Sequence, residues 1–160
     1  MSRFDGRMFL TFVAIAWGTA ALAQALPASW PLPDLPLGAV FLIGRSAGRR
    51  AGANFGFFYG LFADLLGHGV VVGSPFAYAL AGHLGGEIRT YLNEDTILLV
   101  LVYLPVRLLA EGSFRAFAGI ADLTPPPYEF ALLRLAVDAG AFLFLYLARG
   151  PLGLGRRRLE

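Results

Sequence analysis

Residues 51–69 read AGANFGFFYGLFADLLGHG, with Gly52, Gly56 and Gly60 at every fourth position and Asp64 on the next step of four. Four residues advance an α-helix by about 400°, so the three glycines form one slightly spiralling groove. Small residues on one helical stripe let a second backbone come close, and van der Waals packing then holds the two helices together. The groove therefore has two readings: tight packing inside the chain's own bundle, or a docking face for a partner's transmembrane helix. The segment FAYALAGHLGGEI repeats the theme, with Ala77, Ala81 and Gly85 at spacing four and Gly82 and Gly86 beside them. Two small-faced neighbours favour internal packing for at least one of the stripes.

Six apolar segments surround these stripes, at 8–26, 35–44, 51–66, 75–91, 96–110 and 130–148. The 160 residues are 57% hydrophobic and 15% charged, with a mean hydropathy of +0.64. Soluble globular domains carry more charge and fewer apolar residues. The expected fold class is accordingly an all-α membrane protein, one integral domain over residues 1–160 built as a compact bundle of about six transmembrane helices. The first block is too long for a signal-peptide core and reads as a retained helix. Segment 35–44 is the short one; ten helical residues reach about 15 Å, half of a hydrocarbon core of ~30 Å.

Arginine supplies every cation and lysine is absent. With six spans and an inner N-terminus, Arg3, Arg7, Arg45, Arg49, Arg50, Arg89, Arg149, Arg156, Arg157 and Arg158 fall on one side, against Arg115 on the other. This alternation is the positive-inside pattern, and it predicts a multi-pass membrane protein with both termini cytoplasmic. The net charge of +2 is too small to point to nucleic acid. The outer loops carry Trp30 and the proline run TPPPYE, read as an interfacial anchor and a spacer.

Four of the ionisable residues inside the apolar segments are candidates for charges at membrane depth: Asp64, Arg107, Arg134 and Asp138. Charges at such positions pair or face the bundle interior. Arg134 and Asp138 are four apart and can meet on one helix face. All four fall at similar depth and their formal charges sum to zero, so at least one Asp–Arg pair is expected to bridge different helices. A structural ion-pair network and a substrate or proton site both fit this cluster.

Enzymatic chemistry has no foothold. Without cysteine there is no disulfide and no thiolate metal site. His68 and His83 are far apart, and two histidines with a distant Glu87 do not have metal-ligand spacing. No GxSxG, HExxH or Walker A pattern occurs. The expectation is a non-enzyme without cofactor or metal.

The run GFFYGLFADLLGHGVVVGSPFAYALAGHLGG resembles the rod shape-determining protein family MreD. There a helix reading G-x-x-x-G-x-x-x-D precedes a glycine-containing turn and an AYALxG-like helix. Here the matching residues are Gly56, Gly60, Asp64, Gly67 and Gly69, then Ala77, Tyr78, Ala79, Leu80 and Gly82. The resemblance covers the middle fifth of the chain. It implies a non-enzymatic scaffold of the cell-elongation machinery in the bacterial inner (cytoplasmic) membrane, supporting lateral-wall peptidoglycan synthesis and rod shape. Its implied partners are MreC, a bitopic protein, the peptidoglycan synthase complex and cytoplasmic MreB filaments, within a lipid bilayer. It also implies a fold similar to the substrate-binding (S) subunits of energy-coupling-factor vitamin transporters. Those subunits are the alternative assignment, in which Asp64, Arg107, Arg134 and Asp138 would line a ligand pocket.

Overall fold

The computed structural model describes residues 6–26, 33–66, 73–89, 91, 96–120 and 131–149. Trp30, His68, the prolines at 125–127 and the arginines at 3 and 156–158 lie outside them. Among the described residues the chain is all-helical: α1 (Gly6–Ala25), α2 (Leu35–Ala47), α3 (Arg49–Leu66), α4 (Gly73–Ile88), α5 (Thr96–Ile120) and α6 (Ala131–Leu147).

The transmembrane part of the expected fold class is overturned, and with it the multi-pass inner-membrane location. Among the described residues no helix is long and apolar enough to cross a membrane. The reasons are local. Helices α2, α4 and α6 have 13, 16 and 17 residues, about 20, 24 and 26 Å at 1.5 Å per residue, short of a core of ~30 Å. Helix α3 opens on Arg49–Arg50 and carries Asp64, while α5 carries Arg107, Glu111 and Arg115. Mean hydropathy alone reads as a sign of lipid contact. In α2 the structure assigns it to a protein interior, because residues 36–44 are all buried.

Helix α2 is thus the centre of the bundle. Its start is set by Asp34, whose side chain accepts a hydrogen bond from the Leu37 N–H at 3.1 Å. This cap satisfies one of the otherwise unpaired donors of the first turn. Pro36 sits in that turn, where its missing N–H removes no helical bond. Its end is set by Gly48, which takes φ +99° and donates its N–H to the Gly44 carbonyl at 2.7 Å. That backbone region disfavours any residue with a Cβ, and it lets α3 begin at the next residue.

The glycine stripe answers the first of the two readings. Gly52, Gly56 and Gly60 are buried on one face of α3, and a Cβ on any of them would overlap α4 backbone, at Gly82, Tyr78 and Pro75 respectively. Gly82 returns the contact, because its own Cβ would overlap Gly52. Gly44 of α2 meets the same point of α4. The second stripe faces elsewhere. Ala77 and Ala81 belong to the core, and a Cβ on Gly85 would overlap the Phe41 backbone of α2. Helix α4 therefore offers one small face to α3 and another to α2, and the glycines are occupied within the chain.

Aromatic residues lock the remaining helices to this trio. Tyr103 of α5 stacks on Phe142 of α6 with ring centroids 4.0 Å apart, and Phe41 of α2 lies edge-on to both. Phe12 of α1 meets Phe55 and Tyr59 of α3 edge-on at 4.6 Å. Such pairs add about 0.5–1.5 kcal/mol each beyond their burial. Gly82→Ala is expected to destabilise the fold by about 1–3 kcal/mol through overpacking. Gly112→Ala, where nothing lies within 4 Å of the new Cβ, is expected to stabilise it by about 0.5–1 kcal/mol. Thermal or chemical denaturation of the two variants checks both signs.

Candidate functional site

Polar chemistry concentrates where α2, α4, α5 and α6 converge. Arg107 of α5 donates from Nε to Asp138 Oδ2 of α6 at 2.7 Å, and the two residues are 5% and 2% exposed. Arg107 also donates from Nη1 to Glu111 Oε2 at 3.0 Å, and Arg115 donates from Nε to Glu111 Oε1 at 3.0 Å. The other oxygen of Asp138 accepts the backbone N–H of Asp34 at 2.7 Å. Asp34 Oδ1 accepts both the Leu37 N–H and the Tyr78 hydroxyl, the latter at 2.9 Å. A continuous chain of hydrogen bonds therefore runs Tyr78–Asp34–Asp138–Arg107–Glu111–Arg115 and joins four helices.

The electrostatics follow from burial and pairing. Burial pushes the Asp34 carboxyl above its ordinary value, against the pull of Arg107 and of the Tyr78 hydroxyl. Burial works to lower the Arg107 guanidinium, but Asp34 and Asp138 outweigh it and hold the group more firmly protonated. Burial would also raise Glu111; Arg107, Arg134 and Arg115 reverse the sign and take its carboxyl below the ordinary value. Tyr78 and Tyr103 are pushed up by burial first and by Asp34 second, so both hydroxyls stay neutral.

A cavity of about 330 Å³ opens beside this chain, lined by Asp34, Leu37, Ser74, Ala77, Tyr78, Arg107, Ala110, Glu111 and Arg134. The four charges singled out in the sequence are distributed unequally around it. Arg107 and Asp138 form the interhelical pair, and Arg134 lines the cavity. Asp64 continues the glycine stripe of α3; it is 8% exposed, and its Oδ2 has no hydrogen-bond partner. The i,i+4 geometry of Arg134 and Asp138 does not become a contact, because Asp138 is taken by Arg107 and by the Asp34 backbone. Of the proposed packing residues, Gly52, Gly56, Gly60, Ala77, Ala81 and Gly85 lie on the faces described above. His83 is exposed.

Sequence reasoning missed Asp34, Tyr78, Glu111 and Arg115 as members of the site. Glu111 and Arg115 follow Arg107 at steps of four, a readable helical ion-pair pattern, but the segment had been ended at residue 110. Asp34 stands directly before the first residue of α2, the position of a helix cap. Nothing in the sequence signalled that its side chain would meet Tyr78. Among the described residues no group of three His, Cys, Asp or Glu could hold a metal ion.

Comparison of the chain with protein-family profiles, curated proteins and solved structures gives no match.

Removing one member of a buried ion pair leaves the other uncompensated, at about 3–5 kcal/mol. Asp138→Ala is expected to destabilise the fold by that order. Arg107→Met combined with Asp138→Leu is expected to cost less than the sum of its single substitutions. A double-mutant cycle in denaturant measures the difference. The lowered Glu111 carboxyl contributes stability that is complete above its unfolded value of about 4.5 and is lost as pH falls through the lower folded value. Glu111→Gln is therefore expected to remove part of the acid-induced fall in thermal midpoint between pH 5 and about pH 3.

Proposed function

We propose that this chain is a non-enzymatic scaffold of the cell-elongation machinery that binds an MreC-like partner and, through it, supports lateral-wall peptidoglycan synthesis. The observation that carries the reading is the packing of the two halves of the MreD-like motif. Gly56 and Gly60 receive the backbone of Tyr78 and Pro75, and Gly52 receives that of Gly82. The glycines and the AYALxG-like run therefore depend on each other physically. A resemblance confined to one fifth of the chain falls on the α3–α4 contact around which the fold is built.

Two further observations favour assembly over catalysis. The carboxylates of buried Asp138 and half-buried Asp34 and Glu111 are held by arginine, tyrosine or backbone donors, which suits positioning helices rather than moving protons. The helices also keep apolar faces outside the core. On α5 Leu98, Leu101, Leu108 and Leu109 are exposed at helical spacing, and on α6 Leu132, Leu133, Leu143, Phe144 and Leu147 are. Apolar stripes of this kind mark surfaces for other proteins. The vitamin-transporter alternative needs a lining free to hydrogen-bond a polar ligand, and most of the cavity's polar groups are already engaged with one another.

Co-expression with an MreC-like protein is expected to yield a complex that survives size-exclusion chromatography. Leu101→Glu with Leu108→Glu on α5, or Leu132→Glu with Phe144→Glu on α6, is expected to dissociate it without lowering the thermal midpoint of the chain alone. Failure of the unsubstituted chain to co-purify with any MreC-like partner would overturn the reading.

A further inference from the structure

The cavity beside the ion network holds one cationic group, Arg134, whose Nε forms no hydrogen bond with the network. Asp34 Oδ1 is occupied by Tyr78 and Leu37, Arg107 by Asp138 and Glu111, and Glu111 additionally by Arg115. Arg134 lines the same cavity from α6, and its Nε is buried with no hydrogen-bond partner. A buried donor left unpaired costs about 1–3 kcal/mol, more when it is charged. Native structures retain such a group chiefly where something else completes it.

We propose that this cavity is a binding site for a small organic carboxylate, its oxygens held by Arg134 and its body resting on Leu37, Ala77 and Ala110. A guanidinium presents a planar fork of donors that matches a carboxylate in two parallel hydrogen bonds. The charges around the cavity also bear on the ligand. A phosphate dianion brings its second charge against Asp34 and Glu111, which line the same space. The apolar wall and a volume of about 330 Å³ admit a body the size of an aromatic ring, within the usual range for small-molecule pockets of roughly 300–1,000 Å³. The inference does not rest on the scaffold reading, because it concerns the interior of the bundle and not its exposed faces.

The test uses the purified full chain titrated with benzoate, benzamide and inorganic phosphate, read by thermal midpoint and by calorimetry. Benzoate is expected to bind saturably and raise the midpoint, whereas benzamide, which has the same shape without the charge, is expected to do neither. Arg134→Gln is expected to abolish the benzoate response. Arg134→Lys keeps the charge and the fold but loses the planar fork, and is expected to weaken benzoate binding by about tenfold or more. Arg49→Lys, at the start of α3, is expected to bind benzoate as the unsubstituted chain does. Equal responses to benzoate and benzamide, binding of phosphate in place of benzoate, or undiminished binding by Arg134→Lys would each sink the proposal.

Discussion

The structure depends on backbones touching. At the crossing of α2, α3 and α4, Gly44, Gly52 and Gly82 bring three main chains to a separation that admits no Cβ. Dispersion attraction between single atom pairs is small, but a close helix crossing multiplies it over whole turns of backbone. The repeat of glycine at Gly56 and Gly60 extends the crossing along α3, and Gly85 and Gly86 extend it on α4 toward Phe41 and Arg49. Every other helix is added to this trio by side chains: α1 through Phe12, and α5 and α6 through Tyr103 and Phe142.

Close packing of α4 has a chemical consequence. It fixes Tyr78, whose backbone sits against Gly56 and whose hydroxyl donates to Asp34. Asp34 in turn caps α2 and presents its own N–H to Asp138. The buried Arg107–Asp138 pair is thereby held at its Asp138 end by a group that the glycine crossing positions. A buried ion pair adds little net stability against an apolar replacement of equal volume. Its contribution here is registry, because one hydrogen-bonded chain ties α2, α4, α5 and α6 to a single relative placement. By contrast, Arg49–Glu87, at 3.2 Å between exposed side chains, joins the start of α3 to the end of α4 in water, where such pairs contribute little.

Hydropathy was a good guide to where helices form and a poor guide to what covers them. An apolar run at 35–44 reads as a short span because periodicity reports only that side chains avoid water. The structure encloses residues 36–44 in protein, between the Asp34 cap and the turn at Gly48. The interhelical Asp–Arg pair was expected, and Arg107 with Asp138 supplies it. The partner of Arg107 could not be chosen from spacing, however. Arg134 and Asp138 satisfy the i,i+4 rule and do not pair, because Arg107 and the Asp34 N–H reach Asp138 from other helices. Asp64 shows the same limit. Its place on the glycine stripe was legible; that its Oδ2 would be buried without a partner was not.

The sequence by itself determined the all-helical character, the small faces of α3 and α4 and the charges available to the interior, since each follows from local spacing and composition. Only the tertiary structure decided that the glycines are filled by the chain's own α4. It also decided that Asp34 and Tyr78 complete the ion network and that Arg134 borders a cavity. These outcomes depend on contacts between residues distant in the chain, Asp34 and Asp138 being 104 positions apart. Periodicity within one helix cannot specify which face of another helix will meet it.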